Sequence, residues 1–253
     1  MAATQRIIRE QIFYDRQAKN RAVTFRGQPE ALVFTNDDYL DHETWIRPAL
    51  GKLGDLKNLK VLDFGCGHGM AAVVMARLGA RVIAFDLSGG YVKEAGWRAR
   101  ANKTTIDILQ ADGEKLPFAD KSFDRIWGNA ILHHLNAEIA LVELRRVLKP
   151  DGLAVFCEPW GENRLLTWLR KRIPYSGKHR TPDEEPLRRN HLRILDKLFE
   201  HFEVQGFQIL GMARRFLKPG RMVAGLDWCD AKLLAMFPAL IRFCRYIVIT
   251  FGH

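Results

Sequence analysis

The sequence predicts an α/β fold in which a mostly parallel sheet of seven strands carries helices on both faces. Short, β-branched apolar runs alternate with stretches whose apolar residues recur at helical spacing, and this alternation begins near residue 60. The helical stretches are followed by residues that typically end helices, such as Gly79 after the first and Pro150 after the third. The chain has 253 residues, 47% of them hydrophobic, which suits one sizeable core better than two.

Five strands and three helices are predicted between residues 60 and 157. The strands are Lys60–Phe64, Arg81–Phe85, Ile106–Gln110, Phe123–Trp127 and Leu153–Cys157, and the helices are Met70–Leu78, Gly90–Ala101 and Glu138–Leu148. Two later apolar runs are predicted as the sixth and seventh strands, Phe202–Leu210 and Tyr246–Phe251. We expect a single domain composed of an N-terminal cap region, a core, an insertion and a closing part, at residues 1–56, 57–160, 161–200 and 201–253.

The two segments outside the core, residues 1–56 and 161–200, are predicted to wall a ligand crevice. In open parallel sheets the crevice lies beyond the carboxyl ends of the strands. The second segment is charged and contains Pro174, Pro182 and Pro186, so it does not continue the strand and helix alternation. We therefore expect these two segments to determine which molecule enters the crevice.

Composition restricts the class of protein. The formal charge is +10 and the pI is near 9.6, but Lys and Arg are spread along the chain and interleaved with acids. The four cysteines lack the spacing of a metal site and are expected to be reduced, mostly buried thiols; they are Cys66, Cys157, Cys229 and Cys244. The first residues are polar and contain no apolar segment of a signal peptide, so a cytoplasmic location is expected.

A hydrophobic run near the C-terminus, Leu233–Phe251, approaches the length that a bilayer requires. Pro238, Arg242 and Arg245 interrupt it. The run therefore favours a buried helix that ends near Pro238, followed by the closing strand, over a membrane span.

The first predicted strand runs directly into a glycine-rich turn that opens a helix. Glycines allow a ligand to approach the backbone, and the helix N-terminus offers unpaired N–H groups. A dinucleotide-binding turn would place its third small residue where this chain has Met70, whereas the third glycine here is Gly69, one residue early. The spacing of Gly65, Gly67 and Gly69 therefore argues against NAD or FAD as the ligand.

Acidic residues follow the next two strands. Asp86 ends the second strand, where a carboxylate can accept hydrogen bonds from both ribose hydroxyls of an adenosine. The alternative for Asp86 is a helix-capping role together with Ser88. Asp112 follows the third strand, where its carboxylate could accept a hydrogen bond from the exocyclic amine of an adenine. Together these acids indicate a site for an adenosine-containing ligand.

With these residues in view, the chain resembles the class I S-adenosylmethionine-dependent methyltransferases, in particular the UbiE-like branch that acts on small molecules. The resemblance covers residues 60 to about 158. It is carried by Val61–Gly69, Asp86, Asp112–Phe118, Ser122–Asp124, Leu132–Leu135 and Leu148–Gly152. It implies a Rossmann-like fold and S-adenosylmethionine as cofactor.

The resemblance also implies where each part of the cofactor would lie. The glycine-rich turn would surround the methionine part, the acid ending the second strand would hold the ribose, the acid after the third strand would hold the adenine, and Asn129 would line the sulfonium end. The cofactor-binding residues expected in this way are Asp63, Gly65, Cys66, Gly67, Gly69, Asp86, Leu87, Asp112, Gly113 and Asn129. No metal site is expected.

The segment after the fourth strand is where an acceptor would meet the methyl group. It contains two neighbouring histidines, His133 and His134, and a neutral imidazole can take a proton from a hydroxyl acceptor. We name both as candidate catalytic residues; the alternative is that they are hydrogen-bonded structural groups. Glu158, after the fifth strand, either positions an acceptor or pairs with Arg164.

The expected function is methyl transfer to a small-molecule acceptor, hydrophobic or amphiphilic in character. The alternatives are an RNA or protein methyltransferase and a protein that only binds the cofactor. The chain lacks an Asn-Pro-Pro-Tyr type of motif and a Pro-Cys nucleophile, and its basic clusters lack interleaved aromatic residues, which disfavours nucleic acid as a partner. Leu165–Ile173 and Met236–Phe243 are expected to form an apolar pocket that opens towards a membrane surface, or else to complete the core.

Overall fold

The computed structural model describes residues 2–163, 166–168, 172, 185–217 and 221–253. Within these residues seven strands form one sheet. The strands are β1 (Lys60–Phe64), β2 (Arg81–Asp86), β3 (Asp107–Gln110), β4 (Phe123–Asn129), β5 (Leu148–Pro159), β6 (His201–Phe207) and β7 (Tyr246–Gly252). The helices are α1 (Ala2–Gly27), α2 (Asn36–Leu40), α3 (Ile46–Gly51), α4 (Met70–Arg77), α5 (Gly89–Ala101), α6 (Ala137–Val147), α7 (Arg189–Leu198) and α8 (Arg221–Met236).

The strand order is β3-β2-β1-β4-β5-β7-β6. The first five strands in this order are parallel, and β7 pairs antiparallel with both β5 and β6. The carboxyl ends of β1, β2 and β4 therefore meet at one edge, where Phe64 is in register with Phe85 and Gly128. The predicted α/β fold with a seven-stranded, mostly parallel sheet is confirmed.

Two strands are longer than predicted by two residues or more. β4 continues to Asn129 because Gly128 lets the Phe156 ring pack directly over the strand; a Cβ at Gly128 would lie 2.1 Å from that ring. β5 begins at Leu148 rather than Leu153, since the fully buried Leu148 already pairs with Phe123 across a register shift. Residues 149–152, which include the predicted helix-ending residue Pro150, are thus part of a strand.

Side chains that alternate along the central strands separate two cores. Val61 and Val155 pack with residues of α3, α4 and α5 on one face. Leu62 and Phe156 pack with residues of α6 and α7 on the other face. A strand buried on both faces shows a continuous apolar run, which is the pattern that identified β1 in the sequence.

The four cysteines agree with the prediction of reduced, mostly buried thiols. All four are free, and three are buried, whereas Cys229 on α8 is half-buried. Burial raises the pKa of the Cys66 and Cys157 thiols well above the usual range. No helix in the described parts of the chain is long and apolar enough to cross a membrane.

The C-terminal apolar run differs from the prediction in one respect. A helix, α8, does end before Pro238, and β7 does close the sheet. The expectation that this helix is buried is wrong, because Trp228 is 64% exposed and Met236 is 69% exposed. Only one side of α8 faces the protein, where the buried Asp230 carboxylate accepts hydrogen bonds from three consecutive backbone N–H groups, those of residues 209–211.

Helix α1 is attached to α5 through a buried ionic cluster. Glu94 of α5 is 1% exposed and accepts hydrogen bonds from Arg21 of α1 and from Arg98, which is itself 4% exposed. Closer to the N-terminus, Asp15 accepts from the Ser88 hydroxyl at 2.5 Å and from the Gly90 N–H at 3.0 Å. The N-terminal helix is therefore part of the folded core.

Replacing Glu94 should be costly because it leaves the Arg98 guanidinium buried without its carboxylate. We expect Glu94→Ala to lower the free energy of unfolding by about 3 kcal/mol. As a control, Asp120→Ala removes an ion pair to Arg146 whose carboxylate side chain is 72% exposed, and it should cost less than about 0.5 kcal/mol. Urea denaturation followed by circular dichroism measures both; equal losses would contradict the assignment.

Candidate active site

A cavity of about 200 Å³ lies at the carboxyl ends of β1, β2 and β4. Its floor is made by the ends of these strands and the turns that follow them, and α1 covers it. The cavity lies at the position predicted for the crevice, and four residues of α1 line it. The lining residues are Arg6, Ile7, Glu10, Tyr14, Phe64, Gly65, Gly67, His68, Phe85, Asp86, Leu87, Tyr91, Ala111, Asp112, Gly113, Asn129, Ala130, Ile131, His134 and Leu135.

The three glycines of the turn after β1 all have positive φ angles, of 70°, 50° and 80° at Gly65, Gly67 and Gly69. A Cβ at Gly65 would lie 2.5 Å from Ile131, and one at Gly69 would lie 2.7 Å from the Ala95 Cβ. Around Gly67 no described atom lies within 4 Å of an added Cβ. Gly65 and Gly69 are therefore required by packing, whereas Gly67 leaves open space in the cavity.

Asp86 joins the end of β2 to this turn. One carboxylate oxygen accepts the Gly67 N–H at 2.8 Å, and the other accepts the Ser88 N–H at 2.9 Å. The side chain lines the cavity and the residue is only 9% exposed. Burial raises the pKa of Asp86 to about 6, against the lowering effect of these hydrogen bonds. Ser88 itself caps α5 by accepting the Tyr91 N–H, so the capping alternative and a ligand-facing position coexist.

Asp112 and Gly113, which follow β3, also line the cavity. One oxygen of Asp112 accepts the Glu114 N–H at 2.9 Å. The absence of a Cβ at Gly113 allows the Phe64 and Leu135 side chains to pack closely against its backbone, since a Cβ there would lie 2.8 Å from Phe64 and 3.1 Å from Leu135. Gly113 is thus required by packing, and the Asp112 carboxylate adds a hydrogen-bond acceptor to the lining of the cavity.

Three buried polar atoms near the glycine turn have no hydrogen-bond partner within the described residues: Asn129 Oδ1, His68 Nδ1 and Asp63 Oδ2. Asn129 and His68 line the cavity, whereas Asp63 lies below the turn. Burial lowers the pKa of His68 to about 4 and raises the pKa of Asp63 to about 7. Buried polar atoms normally have partners. This end of the cavity therefore fits a polar ligand group such as an ammonium.

His134 faces the cavity and contacts side chains of α1. The Tyr14 hydroxyl lies 3.1 Å from His134 Nε2, and a Glu10 carboxylate oxygen lies 4.0 Å from His134 Nδ1. Arg6 donates hydrogen bonds to the His134 carbonyl oxygen and to Glu114. His134 thus connects the turn after β4, to which it belongs, with α1.

His133, by contrast, does not line the cavity. Its Nδ1 lies 2.7 Å from Glu158 Oε2, and the other oxygen of Glu158 accepts the N–H groups of Ile131 and Leu132. Glu158 is fully buried, so it organises this turn instead of facing an acceptor. Neither alternative considered for Glu158 includes this contact; Arg164 lies outside the described residues.

Most of the residues expected at the site lie together on the cavity. Those that line it are Gly65, Gly67, Asp86, Leu87, Asp112, Gly113, Asn129 and His134. Those that do not line it are Asp63, Cys66, Gly69 and His133. The α1 residues that line the cavity, Arg6, Ile7, Glu10 and Tyr14, were missed individually because no local motif marks them. Of the second predicted wall, residues 161–200, the structure describes 161–163, 166–168, 172 and 185–200, and none of these residues lines the cavity.

The comparison with known families locates a domain in the chain. Residues 62–156 match the family model described as a methyltransferase domain. A ubiquinone biosynthesis O-methyltransferase of Roseobacter denitrificans is 33% identical over 141 residues, which is 51% of this chain and 56% of that protein. A malonyl-[acyl-carrier protein] O-methyltransferase of Erwinia pyrifoliae is 42% identical over 99 residues, 39% of this chain and 36% of that protein. The chain thus spans little more than half the length of the first relative.

Solved structures share the fold. An S-adenosylmethionine-dependent methyltransferase from Mesorhizobium loti superposes with a TM-score of 0.55 at 20% identity, over 85% of this chain and all of that one. The [4+2]-cyclase SpnF superposes with a TM-score of 0.53 at 22% identity, over 81% of this chain and 79% of that one. Since the second carries the name of a different activity, these likenesses establish the architecture alone.

The family match extends from β1 into β5 and thus includes the glycine turn, the acid that ends β2 and the two histidines. Residues 62–156 of this chain are therefore similar in sequence to a methyltransferase domain, in agreement with the resemblance that the sequence motifs indicated.

Proposed function

We propose that the chain is an S-adenosylmethionine-dependent methyltransferase that acts on a small-molecule acceptor of hydrophobic or amphiphilic character. The observation that supports this most strongly is the cavity, in which the open space at Gly67 adjoins the carboxylates of Asp86 and Asp112. O-methyltransferase names among the curated relatives support a small-molecule acceptor. We also propose that residues 1–253 act as one domain, since α1 and α5 share a buried ionic cluster.

In this proposal the cavity residues have separate roles. Asp86 accepts hydrogen bonds from the ribose hydroxyls, and Asp112 with the Gly113 backbone receives the adenine. Asn129 and His68 face the methionine part, where the orphaned buried atoms lie. Three expected residues do not line the cavity and act by shaping the turn after β1; they are Asp63, Cys66 and Gly69. His133 is retained only as a positioning group bonded to Glu158.

The protein contributes geometry more than bond-making groups. When bound, S-adenosylmethionine supplies the methyl group on a sulfonium, whose displacement needs the acceptor atom directly in line. The apolar side chains of Ile7, Ile131 and Leu135 line the cavity and would limit its hydration once a ligand is bound. Positioning in a dry site can supply several kcal/mol of barrier lowering. His134 is the candidate general base for a hydroxyl acceptor.

Turnover of S-adenosylmethionine to S-adenosylhomocysteine tests the acceptor class. We expect turnover with pooled small metabolites and none above background with pooled tRNA or rRNA. Turnover with RNA alone would replace the small-molecule assignment. Cofactor binding without turnover in either pool would indicate a binding protein.

Gly67→Val should abolish cofactor binding, because the branched side chain would occupy space that the ligand needs. The matched control is Gly54→Val, which introduces the same residue at a similar φ of 72°, again with no described atom within 4 Å of the new Cβ. Calorimetric titration should show binding of S-adenosylmethionine and S-adenosylhomocysteine to the parent and the control, and no NAD binding. NAD binding to the parent would overturn the proposal.

The Asp86 carboxylate should make cofactor affinity dependent on pH. Asp86→Ala should weaken binding at least about tenfold, and Asp112→Asn should weaken it less. Because the pKa of Asp86 in the free protein is about 6, the acceptor form is lost as pH falls through that value. We expect affinity to fall by up to about tenfold per pH unit below it. Asp86→Asn should remove this dependence; an unchanged profile would assign it to another group.

The outer side of α8 and the turn after it could contact a membrane surface, as expected for residues 236–243. Met222, Trp228, Met236 and Phe237 are each more than half exposed. Lys232 lies over the Trp228 ring. The acids of α8 face inward, towards the loop at Gly211. The surface is thus apolar and cationic, which suits the interface of a bilayer that contains anionic lipid.

Liposome co-sedimentation tests this surface. Binding should need anionic lipid and should fade as salt is raised, because the attraction is screened within a Debye length. Trp228→Ser with Lys232→Glu should abolish it, whereas Ile139→Ser, at an exposed apolar residue of α6, should not. No sedimentation under any condition would restrict the acceptor to soluble molecules.

A further inference from the structure

Tyr14 of α1 places a hydroxyl group beside the His134 imidazole at the wall of the cavity. Its oxygen lies 3.1 Å from His134 Nε2, and the two rings meet edge to face at a centroid distance of 5.6 Å. Both side chains line the cavity. A group that reaches the cavity beyond Tyr14 would therefore meet the phenol oxygen in addition to the imidazole.

The position of Tyr14 is held by its neighbours on α1. The next residue, Asp15, accepts hydrogen bonds from Ser88 and Gly90 at the start of α5. Gln17 accepts a hydrogen bond from the Tyr91 hydroxyl. These contacts fix the helix turn that carries Tyr14, so its hydroxyl is placed by the docking of α1 on α5.

The charged groups around His134 favour one direction for its hydrogen bonds. Glu10 lies 4.0 Å from Nδ1 and Arg6 lies 3.6 Å from the same carboxylate oxygen. Arg6 also contacts Glu114, while the neighbouring His133 is bonded to Glu158. A carboxylate on the Nδ1 side favours a proton on Nδ1 and leaves Nε2 as the acceptor. Tyr14 then donates to Nε2, and a phenol oxygen that donates its proton can also accept a hydrogen bond, here from a molecule in the cavity.

We propose that Tyr14 is a catalytic residue that takes the proton of a hydroxyl acceptor while its own proton passes to His134 Nε2. Glu10 is a positioning residue that sets the imidazole tautomer and stabilises the imidazolium. This inference rests on the proposed function and narrows it, because it assigns the acceptor atom to an oxygen. A neutral amine would attack without such a relay.

The step balances without a further reactant. The acceptor oxygen forms a bond to the methyl carbon as the carbon–sulfur bond breaks, and the electron pair of that bond stays on sulfur. The acceptor O–H proton moves to Tyr14 Oη, and the Tyr14 proton moves to His134 Nε2. One positive charge is thereby transferred from the sulfonium to the imidazole, and Glu10 lies on the side of the ring where the charge appears.

Nuclear magnetic resonance of the full chain labelled with ¹⁵N-histidine tests the geometry without any acceptor. We expect neutral His134 to carry its proton on Nδ1, with Nε2 unprotonated and accepting a hydrogen bond. Tyr14→Phe should shift the Nε2 signal, and Glu10→Gln should redistribute the tautomers. Tyr246→Phe, which removes a phenol that stacks on Trp45 outside the cavity, should change neither. A proton on Nε2 of the parent protein would overturn the relay.

Turnover of two phenol probes tests the proton transfer itself. Tyr14→Phe should slow methylation of 3,4-dihydroxybenzoate about a hundredfold or more, because this probe must lose its proton at the site. The more acidic 4-nitrocatechol is ionised before it binds, so its turnover should fall by less than about threefold. Equal losses for both probes would contradict a role in proton transfer. If the parent methylates neither probe, the tautomer measurement decides alone.

Cofactor titration separates the two levels of the argument. If the parent fails to bind S-adenosylmethionine, the proposed function fails. If Tyr14→Phe binds S-adenosylmethionine as tightly as the parent and shows the two expected changes, the relay is supported. If that variant binds as tightly but neither the Nε2 signal nor the probe selectivity changes, the relay fails while the methyltransferase proposal stands.

Discussion

The hydrogen bond from the Gly67 N–H to the Asp86 carboxylate joins the two local structures on which the site depends. One is the glycine turn after β1, and the other is the end of the neighbouring parallel strand. Without it, the buried Asp86 carboxylate would lose one of its hydrogen-bond donors, which is costly for a buried charged group. Both residues line the cavity, and the space next to Gly67 is open in this arrangement.

The arrangement has an energetic cost that a ligand could offset. Burial raises the pKa values of Asp63 to about 7 and of Asp86 to about 6, above the usual value of 3.8. A folded state with raised carboxyl pKa values binds more protons than the unfolded chain. This contribution to stability is therefore fully present below the unfolded pKa and is lost as pH rises towards 6 or 7. Hydrogen-bond donors from a ligand would favour the ionised form of Asp86 and lower this cost.

The sequence was sufficient for the parts of the site that are local. A buried strand followed by glycines, and an acid at the end of the next strand, are neighbours through the parallel register of β1 and β2, so Gly67 and Asp86 could be placed together. For α1, the sequence predicted only that the N-terminal region walls the crevice, and it did not indicate which side chains would line it. Tyr14 and His134 are 120 residues apart in the chain. Their contact depends on how α1 packs on α5, for which no pattern of spacing gives a signal.

His133 and His134 show how environment separates two identical side chains. They are adjacent in one short 3₁₀ turn and both are nearly buried, so composition and spacing could not distinguish them. His133 points to Glu158, whose carboxylate also holds the turn's backbone N–H groups, and a change there would loosen the turn. His134 points to the cavity, between a phenol and a carboxylate carried by α1. The first histidine makes the turn rigid, and that rigidity keeps the second in line with whatever occupies the cavity.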